Sequence, residues 1–310
     1  MAVPIFVGFS KTYKYLAASN QDEVVWEMEN TDPFNELIVS WNGLRPRKGK
    51  WVLYISLFQS EWSPWLKYAE WAGSTQRTFK STDSFAQAYQ DAASPKSGFC
   101  NGFRVKMAAV EGSNLIQLDS LYACLSNLSD LSIVAPPPLL PIFLHNVPRQ
   151  SQLTLDHPRH KDMCSPTSTS TAIKYLSGKT IDPVAFAKRS HDDEFDIYGN
   201  WILNTAEAYQ QLDGAYRVHV ERLNDFTAIH AQLSRGNPVV VSVRGQLLGS
   251  PVSSGGHLIC IIGYDSKANT VQCIDPAFPD TDSTLVSYPL PSFLQAWALR
   301  RNISYLFEKK

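Results

Sequence analysis

Hydrophobic positions along this chain change their period once. Up to about residue 134 they alternate, or run in short β-branched and aromatic blocks bounded by turn residues, as strands do. Residues 36–41 and 51–58 read as strands on either side of a turn at Arg45-Pro-Arg-Lys-Gly49. Residues 103–110 alternate, and Glu111-Gly-Ser-Asn114 turns them toward 115–118, which predicts a hairpin. Strands outnumber helical patterns here, so the expectation is a small antiparallel β-sandwich. Beyond residue 141 helical spacing enters. Residues 164–178 predict a helix, with Ser165 as cap, Pro166 where a missing N–H costs nothing, and Gly178 as the stop. Asp182-Pro183 opens a second helix running to about His191. Further helices are predicted over 200–212, 225–235 and 292–299, and strands over 216–222, 238–243, 257–262, 270–275 and 303–307. Helices first and a sheet afterwards make the second half α+β.

The stretch Ala135-Pro-Pro-Pro-Leu-Leu-Pro141 is stiff, extended and unable to enter a central strand. It is the best boundary in the chain and predicts two domains, 1–140 and 141–310. A proline-rich edge loop within one domain is the alternative.

Composition narrows the function classes. With 28 basic and 29 acidic residues the net charge is −1, and no basic run is present, so nothing draws the chain toward nucleic acid or an anionic membrane. No apolar run approaches the length of a membrane span. The first residues lack a basic segment ahead of an apolar core, and Lys11 and Lys14 interrupt the apolar positions, so a signal peptide is not expected. An intracellular protein and a secreted one with its signal removed both fit. The five cysteines, 100, 124, 164, 260 and 273, are odd in number and widely spaced, which is not a disulfide framework. Six of the eight tryptophans fall before residue 75. They read either as an aromatic platform for sugar or peptide or as the core of a small sheet domain.

Cys164 stands at the start of its predicted helix, where unpaired N–H groups and the positive end of the dipole favour a thiolate. A cysteine nucleophile also needs a base and a group to orient that base. Of the seven histidines, His257 follows Gly255-Gly256 and precedes an apolar strand, so a rigid element would hold its ring at the strand's open end. Asp275 ends the next strand, and the two residues lie on either side of the turn spanning Asp265 to Thr270, symmetrically placed to face each other. Oxyanion stabilisation needs a donor beside the nucleophile. Gln152 precedes Cys164 by 12 residues, Gln150 is the fallback, and the backbone N–H of Cys164 is a second donor.

Val147-Pro148, Ser151-Gln152, Cys164-Ser-Pro-Thr-Ser168, Gly256-His257-Leu258, Gly263-Tyr-Asp265 and Asp275-Pro276 together resemble the C39-like peptidases. These are papain-like cysteine peptidases related to the peptidase domain of bacteriocin-processing transporters. The resemblance covers about residues 147–310. It implies a papain-like fold after the sandwich, with Cys164 as nucleophile, His257 as general base, Asp275 as its orienter and Gln152 as oxyanion donor. It implies a peptide or protein substrate and no cofactor. Many relatives carry Gly-Pro after the cysteine where this chain has Ser165-Pro166. Tyr198-Gly-Asn-Trp201 looks like a further family feature, with Trp201 lining the cleft.

Three rival readings stand beside this one. His157, His160 and Cys164, with His191 or Asp192, form a string that a zinc site uses. The papain-like half is a binding module without turnover, with the tryptophan-rich half holding glycan or cell-wall peptide. The same triad performs acyl transfer, as in transglutamination or a phytochelatin-synthase-like step.

Overall fold

The computed structural model describes residues 8–17, 21–252 and 255–310. Among them, eleven strands precede residue 127: β1 (Ser10–Leu16), β2 (Glu23–Phe34), β3 (Glu36–Gly43), β4 (Lys50–Phe58), β5 (Leu66–Ala72), β6 (Gln76–Thr78), β7 (Lys80–Thr82), β8 (Ala86–Tyr89), β9 (Ala92–Pro95), β10 (Cys100–Val110) and β11 (Leu118–Ser126). They form two antiparallel sheets, ordered β1-β11-β3-β9-β8-β7 and β2-β10-β4-β5-β6. Aromatic side chains of the two sheets meet. Tyr15 stacks on Trp26 at 5.8 Å, and Trp41 meets Trp71 edge-on at 5.6 Å. Trp26, Trp41, Trp51 and Trp71 are therefore core residues. Trp62 and Trp65 are only partly covered, and the Arg104 guanidinium lies over both rings, at 4.7 and 4.5 Å.

The predicted hairpin of 103–110 with 115–118 does not form. β10 pairs with β2 and β4, whereas β11 begins at Leu118 in the other sheet. The turn between them, with positive φ at Glu111 and Gly112, carries the chain from one sheet to the other. Leu115 and Leu118 are both buried, and Leu118 pairs with Gly43 of β3 instead of returning to β10, because burying two leucines outweighs a short hairpin.

The second half holds β12 (Ile142–Phe143), α1 (Cys164–Ser177), α2 (Pro183–Ser190), α3 (Trp201–Gln211), β13 (Tyr216–Arg222), α4 (Phe226–Ser234), β14 (Val239–Arg244), β15 (Gly256–Asp265), β16 (Thr270–Ile274), β17 (Leu285–Pro289), α5 (Leu290–Ala298) and β18 (Ile303–Lys309). Its sheet runs β13-β18-β14-β15-β16-β17, with β12 also joined to β15. Every residue from Val239 to Val243 and from His257 to Tyr264 is buried. Continuous burial means that both faces are covered, and α1, α4 and α5 pack on these strands. No described helix is long and apolar enough to cross a membrane.

One irregularity in this sheet positions the site. β15 pairs with β16 as Asp265↔Thr270, Tyr264↔Val271 and Gly263↔Gln272, then shifts to Ile261↔Cys273 and Cys260↔Ile274. Ile262 is an extra residue on β15, a β-bulge. Without it Asp275 would fall opposite Cys260, on the other face from His257. With it, one further step puts Asp275 opposite Ile259, and residues 257 and 259 share a face. Gly263 lies at the same place because a Cβ there would stand 2.8 Å from the Ile142 carbonyl of β12.

The two halves share one contiguous apolar core. β13 is an edge strand, and two of its N–H groups are satisfied by β3 side chains: Val218 N–H by Asn42 (2.7 Å) and Val220 N–H by Ser40 (3.3 Å). The proline stretch 135–141 runs as coil between them.

Candidate active site

Helix α1 begins at Cys164 itself. Met163 occupies the cap position without a side-chain cap bond, so Ser165 is not the cap. Its hydroxyl pairs instead with the Tyr305 hydroxyl at 3.0 Å. Buried between α1 and β18, that hydroxyl gains more from an inside partner than from capping. Pro166 sits in the first turn, where a missing N–H costs nothing, and Gly178 ends the helix at φ 68°. Ser165, Thr167, Ser168, Thr169, Ser170 and Thr171 are all buried. Their small size lets α1 approach the sheet closely, and Ser168 donates to the Leu258 carbonyl at 2.9 Å. This bond ties the helix to the strand residue next to His257.

His257 is 3% exposed and Asp275 has no exposed surface. His257 Nε2 lies 2.7 Å from Asp275 Oδ1. The Cys164 side chain lies close enough to the same imidazole to favour its charged form. With Nε2 engaged by the carboxylate, Nδ1 is the nitrogen left to face the sulfur. Burial alone would pull the imidazole down, but the Asp275 carboxylate and the Cys164 contact outweigh it and raise it to about 10. Burial likewise pushes Asp275 up, and His257, Tyr288 and the Ala277 N–H outweigh that to hold it below the usual carboxylate range. Tyr288 donates to Oδ2 at 2.6 Å, Ser250 to Oδ2 at 3.2 Å, and Ala277 N–H to Oδ1 at 2.9 Å. The carboxylate is thus fully partnered without a permanent cation.

Tyr288 and Ser250 were not legible beforehand as site residues. The signal for Tyr288 is the apolar alternation before Pro289, which makes β17 the neighbour of β16. Ser250 lies in a loop with no pattern to place it.

Among the cysteines, Cys100, Cys124, Cys260 and Cys273 are buried, and burial raises all four thiols. Cys164 alone is partly open, at the helix position whose N–H has no intrahelical acceptor.

Gln152 is buried in a 3-10 turn (Gln152–Thr154). Its Nε2 donates to the carbonyls of His160 (3.2 Å) and Lys161 (2.6 Å), and its Oε1 has no partner among the described residues. It therefore braces the segment that leads into Cys164. Gln150 accepts from Lys174 at 2.8 Å. Lys174 lies ten residues along α1, about 15 Å from the cysteine at 1.5 Å per residue, so the fallback glutamine is remote. Trp201 begins α3, and its N–H donates to Asp91 Oδ1 at 2.8 Å.

The histidines of the zinc string have other partners. His160 Nδ1 contacts the His157 carbonyl, His157 Nδ1 accepts from Arg159 N–H, and His191 lies between Asp193 and Asp196. Among the described residues no group of three or more His, Cys, Asp or Glu side chains is arranged to hold a metal ion.

The model of the Peptidase_C39 like family matches residues 144–305, about half of the chain. Among solved structures, a putative C39-like peptidase from Bacillus anthracis is similar at 20% identity and TM-score 0.43, over 56% of this chain and 99% of that one. Xylellain, a cysteine protease from Xylella fastidiosa, is similar at 13% identity and TM-score 0.35, over 57% of this chain and 88% of that one. No curated protein matches.

Proposed function

The chain belongs to the Peptidase_C39 like family, and from that premise we propose that it cleaves peptide bonds with Cys164, His257 and Asp275. One observation supports the assignment above the others. The one partly open cysteine sits at a helix N-terminus, near an imidazole that a buried carboxylate holds at 2.7 Å.

An imidazolium beside a sulfur favours the thiolate, and the α1 dipole adds to this. The thiolate attacks the substrate carbonyl carbon and a C–S bond forms. The developing oxyanion takes the Cys164 N–H and a second donor. Gln152 is the proposed second donor, and this role requires one of its bonds to the His160 or Lys161 carbonyl to open when substrate arrives. His257 gives its proton to the leaving amine as the C–N bond breaks, leaving a thioester. A water molecule, deprotonated by His257, then hydrolyses the thioester and restores the imidazolium–thiolate pair. Asp275 keeps the ring oriented throughout, itself held by Tyr288, Ser250 and Ala277. We assign residues 1–140 to a sandwich-like accessory domain and 141–310 to the peptidase domain.

Cys164→Ala against a peptide panel is the test. Loss of all hydrolysis with unchanged melting temperature supports the reading, and hydrolysis at the wild-type rate refutes it.

A further inference from the structure

A cavity of about 340 Å³ opens between the two halves, at the small end of ligand-binding pockets, and its Arg244 pairs across the ladder with the residue before His257. One wall is the β8–β9 turn of the first half, with Tyr89 and Asp91, and another is Trp201. Four arginines line it, 222, 244, 300 and 301, against two acids, Glu36 and Asp91. The acids are already committed. Glu36 takes Arg222 at 2.5 Å and Arg301 at 3.4 Å. Asp91 Oδ1 accepts the N–H groups of Trp201 and Ile202 at the start of α3. Burial pushes Asp91 up, and Arg300, which it senses without a direct ion pair, pulls it partly back.

Arg244 and Arg300 are left without a carboxylate within ion-pair distance among the described residues. Arg244 is exposed on β14 and pairs across the ladder with Gly256. Arg300 donates to the Ser242 hydroxyl at 3.2 Å and lies 5.1 Å from the Trp201 ring. Its guanidinium carbon stands 3.5 Å from where a Gly256 Cβ would be. Gly256 immediately precedes His257, on the opposite face of β15, so both charges stand at the strand end that carries the proposed base. A guanidinium fork matches a carboxylate in two parallel bonds.

We propose that this cavity is a substrate subsite that takes a carboxylate of the peptide, held by Arg244 and Arg300 over Trp201. Its place next to the scissile bond rests on the role given above to Cys164 and His257. The N-terminal half, through its β8–β9 turn, then helps to set specificity. The carboxylate comes from an acidic side chain or from a free C-terminus.

The test is binding, not turnover, so it stands apart from the mechanism. The full chain carrying Cys164→Ala is titrated calorimetrically with three pools of N-acetylated hexapeptides randomised over neutral residues. One pool carries a fixed Glu and an amidated end, the second has Gln in its place, and the third is the Gln pool with a free C-terminal carboxylate. The Glu or the free-carboxylate pool is expected to bind about tenfold tighter than the amidated Gln pool, and which one does so identifies the source. Arg244→Gln and Arg300→Gln each remove most of that preference, and Arg47→Gln, outside the cavity, leaves it intact. Equal binding or none by all three pools, or a preference that survives both cavity substitutions, overturns the proposal. Failure of Cys164-dependent hydrolysis in the wild type would count against the peptidase mechanism and leave the binding result as it stands.

Discussion

Glu207 and Asp275 are both carboxylates without exposed surface, one at the seam between the halves and one beside the candidate nucleophile. They differ in what faces them. Glu207 is gripped by Arg45 at 3.1 Å and Arg189 at 2.6 Å, and Gln211 adds a bond at 2.6 Å. Arg45 also donates to the Ala72 carbonyl at 2.6 Å and to the Arg189 carbonyl, and its guanidinium lies 3.5 Å from the Trp71 ring centroid. Burial lowers Arg45 only to about 10, so it stays charged at neutral pH. Nothing in that cluster gives up a proton. Asp275 faces an imidazole, which does. The same burial that makes one cluster a fixed joint makes the other a place where a proton can move. Buried charge therefore marks function only when the partner titrates.

The largest effect that sharpens this contrast is Asp275→Asn. With the carboxylate gone the imidazole loses its orienting acceptor and its positive charge is no longer favoured. We expect kcat/KM on a cleaved peptide to fall by about 10³-fold or more, with a small change in melting temperature. Retention of activity within tenfold would break the assignment of Asp275. Arg45→Ala should do the opposite. It leaves Glu207 with half of its cation contacts in a buried setting, and denaturant titration should show a loss of about 3 kcal/mol. The alkylation rate of Cys164 in the folded variant should stay at the wild-type value, and a change there would mean that the seam and the site are one unit. The smallest effect is in pH. His257 lies above its unfolded value of 6.5. Its contribution to stability is complete below about pH 6.5 and is lost as pH rises through about 10. Asp275, held below its ordinary 3.8, contributes above that value and loses its share only on the acid side. The melting temperature of wild type should therefore fall more steeply between pH 6.5 and 10 than that of His257→Gln, and parallel curves would deny the coupling.

Much of the site was legible because its parts obey local rules. A small-residue helix stopped by Gly178, an apolar strand after Gly256 and an aspartate before Pro276 each leave a mark in the sequence. The bulge at Ile262 left none, and it decides that His257 and Asp275 share a face. Continued from the turn, the register would set Asp275 opposite Cys260, on the other face from His257, whereas the shifted register sets it opposite Ile259 and makes it a diagonal neighbour of His257. The misplaced cap has a similar origin. Ser165 carries good capping chemistry, but tertiary burial against Tyr305 overrides it. The crossing at Glu111–Gly112 defeats hairpin reading because the turn residues are the same whether the chain doubles back or changes sheets. The arginine cavity draws on residues between 36 and 301 and has no sequence pattern at all.

The most direct measurement is mass-spectrometric mapping of a limiting dose of a thiol electrophile, with its rate followed in wild type and in His257→Ala. The account predicts one adduct, on Cys164, with the four buried cysteines unmodified, and a rate at least about tenfold lower without the imidazole. Labelling spread over other cysteines, or a Cys164 rate indifferent to His257, would contradict it.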